Sequence, residues 1–399
     1  MARWQRTLYI LVLVQFVSAT GFSSTFSFQP LYIAELGTRT GLSIEFLSGL
    51  VFSAPAITQI IMSPFWGAIA DRRGRKLMVE RATFGGAAVI FLMTFVGSAE
   101  EFVLLRAVQG LITGVVAAMT ALVAANVPRE RAGYALGLLQ VGLWGGISAG
   151  PLIGGLVADT FGYRSTFLIT SGMLLISGVL AWRGVDEQFQ PRPRPVGRRY
   201  SFWAAWRQVL ARPGIGSTYT ADFMSQLGRF MLVPFLPFLV EDLMSGREQV
   251  ATVTGIVSAV SALTGTLAAV YLGRLGDRIG PRIILLYGAL AAAVFHFPQG
   301  LVWAVWQLIT LQAITGAILG GITPAISAAL AHCTPSGEEG AVYGLENSIA
   351  ATARAIAPLL GSALVVWVDL WGVFATAGII FLLMAVIVFG WLPGKRGEG

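Results

Sequence analysis

Twelve stretches of roughly 20 or more predominantly apolar residues run through this chain, and runs of that length leave a backbone few options. A bilayer's hydrocarbon core is about 30 Å thick, and a helix rising about 1.5 Å per residue crosses it in about 20 residues. With no water there to pair with, N–H and C=O groups must be satisfied within the segment, which a helix does by itself. The spans read as 8–34, 44–68, 79–98, 102–127, 134–158 and 164–184, then 216–240, 250–272, 282–299, 302–330, 341–366 and 370–392. The reading is an all-α membrane protein of twelve transmembrane helices.

Charge supports this and orients it. Only 12% of the 399 residues are charged, about half the usual soluble share. The net charge of +7 could suggest nucleic acid, but its placement argues for a membrane. Of 27 Lys and Arg, 21 fall at the termini or in even-numbered loops; only Arg39, Arg164 and Arg247 fall in the opposite loops, and Arg106, Arg229 and Arg354 lie within spans. The positive-inside rule then puts both termini and the central loop in the cytoplasm, as an even number of spans requires. The basic surface suits anionic lipid rather than nucleic acid. Arg3 and Arg6 before an apolar run, with Val17-Ser18-Ala19, imitate a signal peptide. The apolar character continues to Leu36, so this reads as an uncleaved first span. The one cysteine, Cys333, excludes an intrachain disulfide.

The two halves repeat. Gly67-Ala-Ile-Ala-Asp71-Arg72-Arg73-Gly74-Arg75-Lys76 returns as Gly273-Arg-Leu-Gly-Asp277-Arg278-Ile-Gly280-Pro281-Arg282, an offset of 206. Pro30 matches Pro237, Gln109-Gly110 and Gly114 match Thr315-Gly316 and Gly320, and Gly137, Gln140, Pro151 and Gly154 match Gly344, Asn347, Pro358 and Gly361. The chain thus divides into an N-terminal six-helix bundle (1–184), a cytoplasmic linker (185–214) and a C-terminal six-helix bundle (215–399), pseudo-symmetric with each other. In the linker, Phe202, Trp203, Trp206, Val209 and Leu210 at helical spacing predict a short interfacial helix.

Three motifs carry a family resemblance. The charged loop resembles the G-x-x-x-D-R-x-G-R-K signature of the major facilitator superfamily. Arg106-Ala-Val-Gln109-Gly110 resembles its R-x-x-Q-G element. Gly146-x-x-x-Gly150-Pro151-x-x-Gly154-Gly155 resembles its antiporter motif. The resemblance covers nearly the whole chain and is nearest to the twelve-helix drug:proton antiporters, in the multidrug and tetracycline-efflux group. It implies gating by Gly67, Asp71, Arg72, Gly74 and Arg75, with Gly273, Asp277 and Arg278 as a second copy in which Pro281 replaces a basic residue. It also implies a proton-coupling role for Arg106. That residue lies about one turn inside its span, so snorkelling to the outer headgroups is the competing reading. Tight backbone approach by Gly146, Gly150, Gly154 and Gly155, with a bend at Pro151, fits the third motif.

Ionisable residues within spans cost about 2.5 kcal/mol or more at the bilayer centre, which makes each a functional candidate. Asp222, Gln226 and Arg229 share one face of span seven, and Glu346, Asn347 and Arg354 lie in span eleven. Asp222 is expected to carry the proton, with Arg229 and Arg354 tuning it and Glu80 and Glu346 as shallower alternatives; a structural ion pair is the competing view. Some members carry a carboxylate deep in the first helix, whereas here Glu35 and Glu45 sit only near its outer end. Gln15, Phe22, Gln29, Gln59, Gln140, Trp144, Gln226 and Asn347 are expected to line the substrate cavity, where neutral polar groups mixed with aromatics suit amphiphilic cargo. Helix–helix hydrogen bonding is the bland alternative for each.

The expected function is a proton-coupled exporter of amphiphilic drugs in the inner (plasma) membrane. It would work by alternating access as a functional monomer, without cofactor, metal or ATP. An exporter of one metabolite (a sugar, amino acid or siderophore) is the alternative. An enzyme is not expected: His296 and His332 are the only histidines, and no metal-ligand spacing or Walker loop is present.

Overall fold

A computed structural model describes residues 3–128, 131–187, 214–245, 248–334 and 339–392. Among them are helices and no strand. The first span is α1 (Arg3–Ser24) and α2 (Gln29–Leu36), separated by a turn. Pro30 explains the break, since its ring lacks an N–H and crowds the carbonyl four residues back. Then come α3 (Ile44–Arg73), α4 (Lys76–Met93), α5 (Ala99–Ile112), α6 (Val115–Asn126), α7 (Ala132–Phe161) and α8 (Tyr163–Gly184). The second half holds α9 (Ile215–Phe230), α10 (Leu236–Met244), α11 (Val250–Ile279), α12 (Pro281–His296), α13 (Val305–Cys333) and α14 (Glu339–Trp391). α14 holds spans eleven and twelve, with a non-helical turn at Asp369 (φ 66°) between them.

All twelve expected spans are therefore helical. Nine stretches among the described residues are long and apolar enough to cross a membrane as they stand, one of them the joined pair in α14. The others are α4, which carries Lys76, Glu80 and Arg81, and the seventh span, broken between α9 and α10 beside Pro234 and Pro237. The fourth span is also in two pieces, parted at Thr113 and Gly114 (φ 128°). The predicted interfacial helix in the linker lies outside the described residues.

The charged loops are shorter than expected. α3 runs through Gly67, Asp71 and Arg72, and α11 through Gly273, Asp277 and Arg278. Only Gly74 (φ 96°) and Gly280 (φ 95°) make the turns. Arginines in a last helical turn complement the exposed carbonyl end, so the helix continues into the basic stretch.

By packing the chain forms two compact units: residues 1–194 with 237–259, and residues 195–236 with 260–399. The segment 237–259 thus packs with the first unit, although the repeat counts it with the C-terminal half. In unit 1, α1 lies along α7, α3 along α5 and α4 along α8. Its core includes an aromatic cluster in which Phe28 stacks on Tyr163 (5.1 Å between centroids) and Tyr32 meets Phe102 edge-on (5.4 Å). In unit 2, α9 lies along α14, and α12 packs on α13 and α14 around Leu285, Ile322, Phe381 and Met384. Large apolar side chains cover the outside, among them Trp303 (79% exposed) and Trp367 (85% exposed). Such a surface belongs against lipid, with tryptophans near span ends at the headgroup level.

Candidate functional site

In unit 2, a group of ionisable side chains lies between α9 and the first part of α14. Asp222 is only 4% exposed. Its Oδ1 accepts a long hydrogen bond from Gln226 Nε2 (3.5 Å), and its Oδ2 is enclosed with no partner. Arg354 and Glu346 lie within electrostatic reach of Asp222, and Arg354 also acts on Arg229. α14 thus brings an acid and a base toward the Asp222–Gln226 pair of α9. Asn347 does not join: its side chain is exposed. The carboxylate is thus enclosed, with one oxygen lacking a donor among the described residues.

Arg106 is 7% exposed and turned inward. Its Nε donates to Val51 O (3.1 Å) and its Nη1 to Gln109 Oε1 (2.6 Å). This corrects the snorkelling reading. Among the described residues no ion pair within 4 Å involves Arg106.

The antiporter-motif glycines are contact points. Side-chain carbons at Gly146, Gly150 and Gly154 would run into the α1 backbone at Phe16, Thr20 and Ser24, so α7 and α1 touch backbone to backbone. Gly155 meets Ala251 of α11 in the same way, and Gly255 meets Pro151. Asp159, one turn on, accepts from Thr252 N (2.6 Å) and Ala251 N (3.3 Å), the first amides of α11.

At the charged loop, Arg75 N and Lys76 N donate to the two carboxylate oxygens of Glu187 (2.9 and 2.8 Å), Arg75 Nη1 donates to Ala121 O (3.1 Å), and Lys76 Nζ to Trp182 O (2.7 Å). Glu187 was missed in the sequence because nothing local marks a loop carboxylate as the cap of a helix more than a hundred residues upstream. The Asp71 side chain lies outside the described ones.

The residues expected to line the substrate cavity fall in both units, and within each unit they have different surroundings. Gln15 (1% exposed) and Gln29 (0%) are buried inside unit 1, Gln29 donating to Thr25 Oγ1 (2.6 Å). A helix-facing glutamine and a cavity-facing one look alike in sequence. Phe22 is half-buried, while Gln140 and Trp144 are exposed along α7. Gln226 belongs to the Asp222 cluster. Gln59 lines a cavity of about 320 Å³ in unit 1, together with Ser63, Trp66, Arg75, Arg81 and Thr113.

This architecture, with buried charges on paired helices and glycine-mediated backbone contacts, defines a multi-pass membrane protein of the transporter type. The sequence matches the Major Facilitator Superfamily over residues 11–221 and again over 218–399, and the chain belongs to that family. The Multidrug resistance protein MdtG of Serratia proteamaculans (strain 568) is 36% identical over 387 residues, 96% of this chain and 93% of that protein. The Multidrug resistance protein MdtG of Dickeya zeae (strain Ech586) is 33% identical over 397 residues, covering 98% and 95%. Among solved structures, a bacterial homolog to the human lysosomal transporter Spinster, inward-facing and unoccupied, superposes with a TM-score of 0.80 at 13% identity, covering 98% of this chain and 97% of that one. The human organic anion transporter MFSD10 (TETRAN) gives 0.68 at 16% identity, covering 97% and 100%. Both likenesses concern the fold alone.

Proposed function

We propose that this protein is a proton-coupled exporter of amphiphilic drugs, working by alternating access between two six-helix bundles (1–184 and 215–399) in the inner membrane, with both termini cytoplasmic. The multidrug-resistance names of relatives along nearly the full length support the cargo class. The observation that carries the coupling is Asp222: a carboxylate within a span, 4% exposed, with one oxygen lacking a hydrogen-bond partner.

In this reading Asp222 loads a proton and releases it as the cavity changes sides. Arg354 and Arg229 offset its charge when it is ionised, and Glu346 is the second acid of the relay. Proton flow supplies the energy, with no cofactor, and one chain is the working unit. The α1–α7 glycine contact is a stiff element of the first bundle. The clamp of Glu187 on Arg75 and Lys76 steadies the cytoplasmic loop, whose basic residues face anionic headgroups.

Dye accumulation in inverted vesicles, at several imposed pH gradients, tests this. Asp222→Asn is expected to abolish gradient-driven accumulation while leaving downhill exchange. Unaltered dependence on the gradient in that variant would remove Asp222 from the mechanism.

A further inference from the structure

The cavity in unit 1 has a chemical character that proton coupling does not use. Its wall includes the break in the fourth span, where α5 ends at Ile112 and α6 starts at Val115 without a side-chain cap. Trp66 Nε1 donates to Leu111 O (2.7 Å), and Arg81 Cζ lies over the Trp66 ring, 3.7 Å from its centroid. Arg81 Nη2 donates to Thr113 O (3.3 Å), so one nitrogen serves the broken helix. The other two, Nε and Nη1, are enclosed and have no partner.

An unpaired guanidinium taken out of water is costly, and those N–H groups need an acceptor. Nothing described in unit 1 supplies one: Glu80, beside Arg81, faces Lys76 (3.7 Å). Arg75 adds a second positive charge to the same wall, and its Nη1 is bonded to Ala121 O. Gln59 brings an amide donor close by: a methyl carbon placed on Gly114 would lie 3.7 Å from Arg81 Nη2 and 3.9 Å from Gln59 Nε2. A guanidinium stacked on Trp66 at the cavity wall, with no counter-charge among the described residues, suits the oxygens of a carboxylate or phosphate. At about 320 Å³ the space suits a headgroup or a one- or two-ring acid.

We infer that this cavity is an oxyanion-binding site, with Arg81 as the principal ligand and Gln59 and Arg75 as supporting donors. Its occupant carries a carboxylate- or phosphate-type group, either as a soluble amphiphilic anion or as a lipid headgroup.

Equilibrium binding with no gradient tests this separately from export. The full chain is placed in nanodiscs of phosphatidylcholine and titrated with 1-naphthyl phosphate, read by fluorescence anisotropy. A matched set of discs contains phosphatidylglycerol, and its retention is read by native mass spectrometry. For a soluble anion, Arg81→Gln weakens naphthyl phosphate binding at least tenfold. Arg81→Lys, which keeps the charge but not the fork, falls between, and Gln59→Leu weakens it about threefold. For a lipid headgroup, naphthyl phosphate binds only in the phosphatidylcholine discs or not at all, and phosphatidylglycerol retention drops in the same variants. If naphthyl phosphate affinity and phosphatidylglycerol retention are both unchanged in Arg81→Lys and Gln59→Leu, the site does not exist, whatever becomes of Arg81→Gln.

Discussion

The second and fourth spans and their repeats, the eighth and tenth, share one contact and then diverge. In unit 1 a side chain at Gly110 would strike Pro55 and Thr58; in unit 2 one at Gly316 would strike Ser261 and Thr264, the positions 206 residues on. One turn further, Gly114 breaks its helix with φ 128°, whereas Gly320 stays helical against the Gly265 backbone. The positions of Gln59, Trp66, Arg81 and Arg106 hold Gly265, Leu272, Tyr287 and Gln312 in the second copy. Charge and a cavity thus mark one copy, and close neutral packing the other. The first and fifth spans reverse the pattern. Gln15 and Phe22 of α1 correspond to Asp222 and Arg229 of α9, and Gly146 and Gly150 of α7 correspond to Ala353 and Ala357 of α14. Where backbones touch, no charged side chain fits between them; where alanine methyls space the helices apart, an acid and two arginines are housed. Duplication supplied two scaffolds, and each copy was furnished on a different pair of helices.

The sharpest way to break this comparison is at the glycines. Gly150→Leu drives a large side chain into Thr20 and Ser23 of α1 and should cost more than about 3 kcal/mol, with little folded protein recovered on gel filtration. Ala357→Gly, the reverse change in the second copy, should cost only about 1 kcal/mol. Equal losses would mean that the two helix pairs do not differ in spacing.

Next in size is the acid. Asp222→Asn should abolish gradient-driven accumulation. Gln15→Leu at the matching position should slow transport without changing its dependence on the pH gradient. A third test uses an isosteric pair. Thr58 Oγ1 donates across to Ala107 O (2.8 Å), while Thr264 bonds only within its own helix. Thr58→Val should therefore cost about 1 kcal/mol in thermal unfolding and Thr264→Val close to nothing.

The smallest effect is expected at the loop. Glu187 takes the amides of Arg75 and Lys76, and in the second copy Pro281, at the Arg75 position, has no amide to offer. Glu187→Gln should cost about 0.5–1 kcal/mol, an effect that shrinks as salt is raised.

The twelve spans were legible because the solvent dictates them: about 20 apolar residues must be helical in lipid, whatever their neighbours. The break beside Pro234 and Pro237 has a local cause, since proline removes a donor. The break at Gly114 was not. Its partner Gly320 sits in an unbroken helix, and glycine alone permits either conformation. The motif glycines could be recognised, but not what each touches. Arg106 could be placed in a span, but not turned toward Val51 and Gln109. Arg81 passed for one more basic residue of the cytoplasmic cluster. Whether a polar side chain serves packing or cargo depends on the helix across from it, and that helix is distant in the chain.

Asp159 has one further consequence. α11 begins beside Gln249, whose φ of 62° is unusual for a side-chain-bearing residue, and its opening amides are held by a carboxylate about ninety positions upstream. The eighth span therefore does not define its own starting point. A C-terminal fragment produced alone would carry a rod frayed at its tip, and 237–259 would be stripped of the surface it rests on. Severing the connector between the repeats does not yield two self-sufficient pieces. Co-expressed fragments should regain a protease-resistant eighth span only when the N-terminal piece keeps Asp159.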